Sequence, residues 1–319
     1  MKHLISKEHH PHLKKRAMLE MVGFGILLWL SIDQRELIGE AITAIRGGDA
    51  LFIFLLFSTY WLLLPLTSIS YRMLSEKKIL LATTSLAQLA ASGPGRIIPG
   101  GLGHISIAAV HLNKTGCKLS RSVIIAVANN VIGLIINSLI IGVAILVHPT
   151  LLDTISNNIS VESVIVIAVS ILTVFTLVQW LAHIHGTRKT VERVNKEWKN
   201  LFAHLLSNPH RLLIVVIVAA VITTGHMAML LLSGEALSIH IAPSDAFIAL
   251  GVGVLFGGAV PTPGGLGAVE AGTITALIVL GYDSTEAVSV ALLFRAATYW
   301  QPLIPGVLSY LYLREKKLL

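Results

Sequence analysis

The stretch PTPGGLGAVE, residues 261–270, ends in a carboxylate, and RIIPGGLGH, residues 96–104, runs from an arginine to a histidine. Both lie inside long apolar segments, where an ionisable side chain is costly to hold and so marks a function or a partner. A third site of this kind is Arg295, in LLFRAATYWQPLIPG, about two turns into another apolar segment. A guanidinium suits a phosphate or a carboxylate, which it meets with a fork of donors. Glu270 suits a cationic headgroup, a proton or one of those arginines, or a helix N-terminus as a dipole-stabilised acid. His104 can carry a proton, Arg96 can bind a headgroup or cap a turn, and Asn130 with Asn129 can hydrogen-bond between helices or to a headgroup.

The residues around these groups are chain breakers. Proline ends a helix and removes a donor; glycine lets the chain turn and pack closely. PGGLG occurs twice, at 99–103 and 263–267. A helix restarting after such a break points unpaired N–H groups and a positive dipole end at the tip, which suits a phosphate or carboxylate. Opened backbone at membrane depth must be buried in protein or line a cavity. The candidate substrate-binding set is therefore Arg96, Gly100, Gly101, Gly103, His104 and Asn130 in the first half. In the second half it is Pro261, Pro263, Gly264, Gly265, Gly267, Glu270 and Arg295.

Other chemistries find little support. No nucleophile–base pattern, phosphate loop or Cys/His cluster with metal-ligand spacing is present, and the GGLG glycines lack both GxGxxG spacing and a preceding strand. The expectation is a non-enzyme without cofactor or metal. The single cysteine, Cys117, excludes an internal disulfide, and His9, His10 and His12 read as part of a solvated tail.

The elements that must position these groups follow from composition. Of 319 residues, 54% are apolar and 13% charged, about half the charge of an average soluble domain, and the mean hydropathy is +0.78. Runs such as 51–66 and 122–147 are long enough to cross a bilayer. The fold class is an all-α polytopic membrane protein. Apolar segments fall at roughly 17–32, 50–69, 79–110, 122–147, 161–182, 212–233, 243–281 and 287–312.

Charge sets the topology. Of the 24 Lys and Arg, five lie in the N-terminal tail, three in 70–78, three in 111–121, six in 183–211 and three in the C-terminal tail. The connections 148–160, 234–242 and 282–286 have none. Basic loops stay cytoplasmic, so the net charge of +7 reflects orientation and requires no nucleic acid. Threading the chain then gives about six full spans and two re-entrant helical hairpins, 79–110 from the cytoplasm and 243–281 from outside. Their arms, about 12–18 residues long, reach roughly to the midplane. Each half reads span, span, hairpin, span in opposite orientation: an inverted repeat, with both termini cytoplasmic.

The divisions are a basic tail at 1–16, without a small-residue cleavage site after it; a first half at 17–147; and an outer loop with a span at 148–182. An amphipathic cytoplasmic linker at 183–211 follows, with Val191, Val194, Trp198, Leu201 and Leu205 at helical spacing. The rest of the second half spans 212–313, and a basic tail 314–319.

With PTPGGLGAVEA in hand, the chain resembles the lysylphosphatidylglycerol synthetase transmembrane-region (flippase-domain) family over about 17–313. The resemblance implies an integral membrane lipid flippase or flippase-like transporter. Its best-known members handle aminoacylated phosphatidylglycerol, and archaeal relatives act in dolichol-linked glycan pathways. It carries over Pro261, Pro263, Gly264, Gly265, Gly267 and Glu270, and also Arg295. Where relatives have Gly-Glu and an Arg three residues on, this chain has Gly103-His104 and Ile107. Where relatives often have a charged pair, it has Asn129-Asn130. The first half thus lacks charges that the family uses, and the resemblance leaves the headgroup open.

The soluble aminoacyl-transferase domain of some relatives has no counterpart within these residues, so the chain is not expected to make an aminoacylated lipid alone, and a separate synthase is a candidate partner. The functional expectation is movement of a phospholipid or lipid-linked headgroup through a midplane site between the hairpins, in the inner membrane. The alternative is a secondary transporter of a small polar or anionic solute.

Overall fold

The computed structural model describes residues 35–98, 102–147, 188–260 and 262–319. The expected spans 17–32 and 161–182, the outer loop 148–160 and the N-terminal tail lie outside these residues, as do Gly100, Gly101 and Pro261. Every regular element described is helical. In chain order they are α1 (Arg35–Arg46), α2 (Ala50–Leu74), α3 (Leu81–Ala91), α4 (Leu102–Lys114), α5 (Leu119–Val147) and α6 (Arg188–Ser207). There follow α7 (Pro209–Ala236), α8 (Pro243–Ala259), α9 (Ala268–Val279), α10 (Ser284–Arg295) and α11 (Leu303–Glu315).

Among the described residues three helices are long and apolar enough to cross a membrane: α2, α7 and the Leu119–Ile140 part of α5. Their sequences say why they form. Asp49 starts α2 by accepting from the amides of Leu51 (2.8 Å) and Phe52 (3.4 Å). Pro209 opens α7 at a position that needs no donor. Large apolar side chains face outward on these helices, Leu62 at 71% exposure and Phe54 at 66%. A water-soluble surface would not carry such a belt.

The helices pack through two main cores. One joins α2, α7, α8, α9 and α10 through Leu56, Met229, Leu230, Leu277 and Leu293. The other gathers the far end of α2 with α4, α5 and α6 through Tyr71, Leu74, Leu112, Ile125 and Leu201. Thus α6 does use its apolar stripe, with Leu201 and Leu205 buried and Phe202 and Leu206 left outward.

Three features differ from the sequence expectation. The connection 33–49 contains α1, which packs on α10, and Thr285 Oγ1 donates to Glu40 there at 3.2 Å. The segment 287–312 is not one continuous helix: α10 ends at Arg295, a π-turn spans Ala296–Trp300, and α11 starts at Leu303. Pro302, with no N–H, cannot continue the ladder across that point. The third difference concerns the first break. It runs from the end of α3 to the start of α4, and its turn is Pro94–Ile97, ahead of PGGLG. Leu102 and Gly103 already belong to α4.

Candidate functional site

Two pairs of short helices frame the site. Helices α3 and α4 pack on each other across the turn Pro94–Ile97, and α8 and α9 do so across the turn Pro263–Gly265; the two turns touch. Glycine makes the contact possible. Gly264 has φ 61°, and a Cβ there would lie 2.8 Å from Tyr299 Cε2 and 3.1 Å from Arg96 Cβ. Gly103 abuts the first turn so closely that a Cβ would fall 1.7 Å from the Gly95 oxygen. Both positions therefore exclude every other residue type. At the second turn, Gly265 and Gly267 also adopt positive φ, 71° and 77°.

Arg96 reaches from the first turn to the π-turn. Its guanidinium donates to the Tyr299 carbonyl and, at 2.8 Å, to the Thr298 carbonyl. The Thr298 carbonyl is free to accept because its helical donor would be the missing N–H of Pro302. The same guanidinium carbon lies 4.3 Å from the centre of the Tyr299 ring, within cation–π range.

Arg295 approaches that ring too, at 4.6 Å. Its Nε donates to Glu270 Oε1 at 2.8 Å, the two side chains being 9% and 13% exposed. An Nη of Arg295 faces the Gly264 carbonyl at 3.4 Å, and the Tyr299 hydroxyl donates to the Pro263 carbonyl at 3.4 Å. Tyr299 thus ties together both turns and both arginines. Two buried polar atoms beside the second turn find no partner, Glu270 Oε2 and Thr262 Oγ1.

A cavity of about 250 Å³ opens on the first-half side of this junction. It is walled by α2, α3, the first turn, α4, α5, α7 and the π-turn. Arg96, His104 and Asn130 line it; Glu270 and Arg295 do not. The structure therefore separates the charges read from the sequence into a buried ion pair and a cavity group, joined through Tyr299. Pro263, Gly264 and Gly265 form the second turn, Gly267 caps α9 behind it, and Gly103 in α4 packs against the first turn. Asn130 Nδ2 donates within its own helix to Ala126, at 2.9 Å.

Several residues of the junction and the cavity wall escaped the sequence reading or were given little weight in it. Tyr299 has a legible signal, four residues beyond Arg295 and so on the same helical face. Thr298 has another, four residues before Pro302. Tyr60, Gln88 and His226 come from three different helices, and no spacing in the chain connects them.

The fold and site define an all-helical membrane protein with two broken helix pairs meeting turn to turn beside a polar cavity. The sequence model of the family described as lysylphosphatidylglycerol synthase TM region matches residues 18–306, and the chain belongs to that family. No curated protein matches the chain.

Proposed function

We propose that this protein moves a phospholipid or lipid-linked headgroup across the bilayer, acting as a flippase-like transporter and not as an enzyme. One observation carries the reading: the turns of two broken helix pairs meet beside a polar cavity that Arg96 shares with the junction. A polar headgroup needs such a refuge, while its acyl chains need only the outward apolar surface. The contact between the turns suits alternating access, because a shift of one pair against the other would pull on Arg96 and Tyr299 together.

In this reading α3–α4 and α8–α9 are re-entrant hairpins entering from opposite faces, the chain has about six full spans arranged as an inverted repeat, and both termini are cytoplasmic. The basic connections 70–78, 111–121 and 183–211 support that orientation, and in a bacterium the protein would reside in the inner membrane. A separate enzyme would supply the lipid where the headgroup needs prior modification.

The test is lipid translocation in proteoliposomes, with fluorescent phospholipids of several headgroups and Arg96→Ala beside the wild type. Headgroup-dependent movement that Arg96→Ala removes, with folding intact by near-UV circular dichroism, is the expected result. A folded wild type that moves no lipid would overturn the reading and favour a small polar or anionic solute as cargo.

A further inference from the structure

The chemistry of the cavity wall specifies which headgroup it takes, an inference that rests on the lipid-headgroup reading above. Among the described wall residues Arg96 is the only Lys or Arg, and none is Asp or Glu. Glu270, the carboxylate at the junction, lies outside the wall and is held by Arg295. The wall thus has one positive field, from a guanidinium with five N–H donors of which two are engaged by carbonyls. Among the described wall residues none carries a negative charge that would neutralise a cation.

The rest of the polar wall is neutral and mixes donors with acceptors. The Tyr60 and Ser92 hydroxyls bond to each other at 3.0 Å. His226 Nδ1 lies 2.8 Å from the Ile222 carbonyl, so that nitrogen carries the proton and Nε2 of the neutral ring is an acceptor. Gln88 is 7% exposed, and its Nε2 has no partner at bonding distance, although the Tyr71 hydroxyl faces it. A buried donor left open is a standing cost to the fold unless a bound group accepts from it.

Hydroxyl groups on neighbouring carbons both donate and accept, and they match a wall of carboxamides, hydroxyls and imidazole. A single phosphate matches a single guanidinium. The volume of about 250 Å³ is just below the ~300 Å³ at which small-ligand pockets begin, a size that suits one ring-sized group. We propose that the cavity binds a polyhydroxyl headgroup on a single phosphate, of the glycerol-, inositol- or sugar-phosphate kind, and refuses cationic aminoacylated headgroups.

The experiment compares fluorescent phosphatidylglycerol and phosphatidylinositol with lysyl-phosphatidylglycerol and phosphatidylcholine in proteoliposomes of the whole chain. In parallel, the melting temperature in micelles is read with inositol 1-phosphate or lysine methyl ester. The polyol lipids should move about tenfold faster or more, and inositol 1-phosphate alone should raise the melting temperature. Gln88→Leu removes the open donor, so the ligand-free protein should melt no lower than the wild type. It should nonetheless move polyol lipids about tenfold more slowly and lose the inositol-phosphate shift.

If no lipid moves but inositol 1-phosphate stabilises the wild type and not Gln88→Leu, the headgroup class stands, lipid movement fails, and a free polyol phosphate is the cargo. Lysyl-phosphatidylglycerol moving as fast as phosphatidylglycerol would overturn the proposal. So would a Gln88→Leu protein indistinguishable from the wild type in both readouts.

Discussion

Removing either partner of the Glu270–Arg295 pair strands a buried charge, and the size of the loss follows from the surroundings. Guanidinium and carboxylate charge centres about 4 Å apart attract by about 4 kcal/mol at an effective dielectric constant of ~20. Arg295→Gln takes the charged donor from Glu270 Oε1, while Oε2 already has no partner. With the two side chains 9% and 13% exposed, that substitution should cost about 3–5 kcal/mol. Glu270→Gln should cost less, about 2–3 kcal/mol, because the stranded guanidinium keeps the Gly264 carbonyl and the Tyr299 ring, the ring contributing about 0.5–2 kcal/mol. The double variant Glu270→Gln/Arg295→Gln strands no charge, so the losses should fail to add, with a coupling of about 2–4 kcal/mol. Reversible unfolding by sodium dodecyl sulfate in mixed micelles measures the four proteins of this cycle. Additivity within about 0.5 kcal/mol would refute the buried pair as an electrostatic unit.

Further expectations concern the turn, the topology and the cytoplasmic side. Gly264→Ala should destabilise by about 1–3 kcal/mol and abolish transport, since φ 61° and the Tyr299 contact both oppose a side chain. Gly258→Ala, with nothing within 4 Å of the added carbon, should be neutral or stabilising by up to about 1 kcal/mol in the same unfolding assay. On a Cys117→Ser background, Lys114→Cys should react with an impermeant maleimide only from the cytoplasmic face and Ser284→Cys only from the outer face. Labelling of both from one side would end the opposed-hairpin topology.

On α6, partial burial holds the His204 imidazole below its usual pKa, against the pull of Glu76 and with help from Arg211 and Arg121. The folded state therefore favours the neutral ring, which accepts from Arg211 at 3.1 Å. That stability is present above the unfolded value near ~6.5 and is lost as pH falls below it. Melting at pH 7.5 and 5.5 should show the drop, and His204→Asn should reduce it.

The relation between the chain and its structure divides along sequence distance. Membrane character, the helical class, the amphipathic stripe of α6 and the two proline–glycine breaks were all legible. Each depends on hydropathy or backbone preference over one or two turns, and a run of residues carries that information by itself. Arg295 and Glu270 were legible as costly charges, and burial offered each few satisfactory partners.

What only the tertiary structure decided is who meets whom. Arg96 bonds to carbonyls more than two hundred residues away, because Pro302 frees one of them and Gly264 lets the turns close. Neither residue encodes that contact locally. The cavity collects Gln88, His104, Asn130 and His226 from four helices whose packing is set by apolar side chains and small residues elsewhere. The break in the last helix lies between these cases. Pro302 marks it in the chain, but only the tertiary structure brings Arg96 to the carbonyls of Thr298 and Tyr299 in that π-turn.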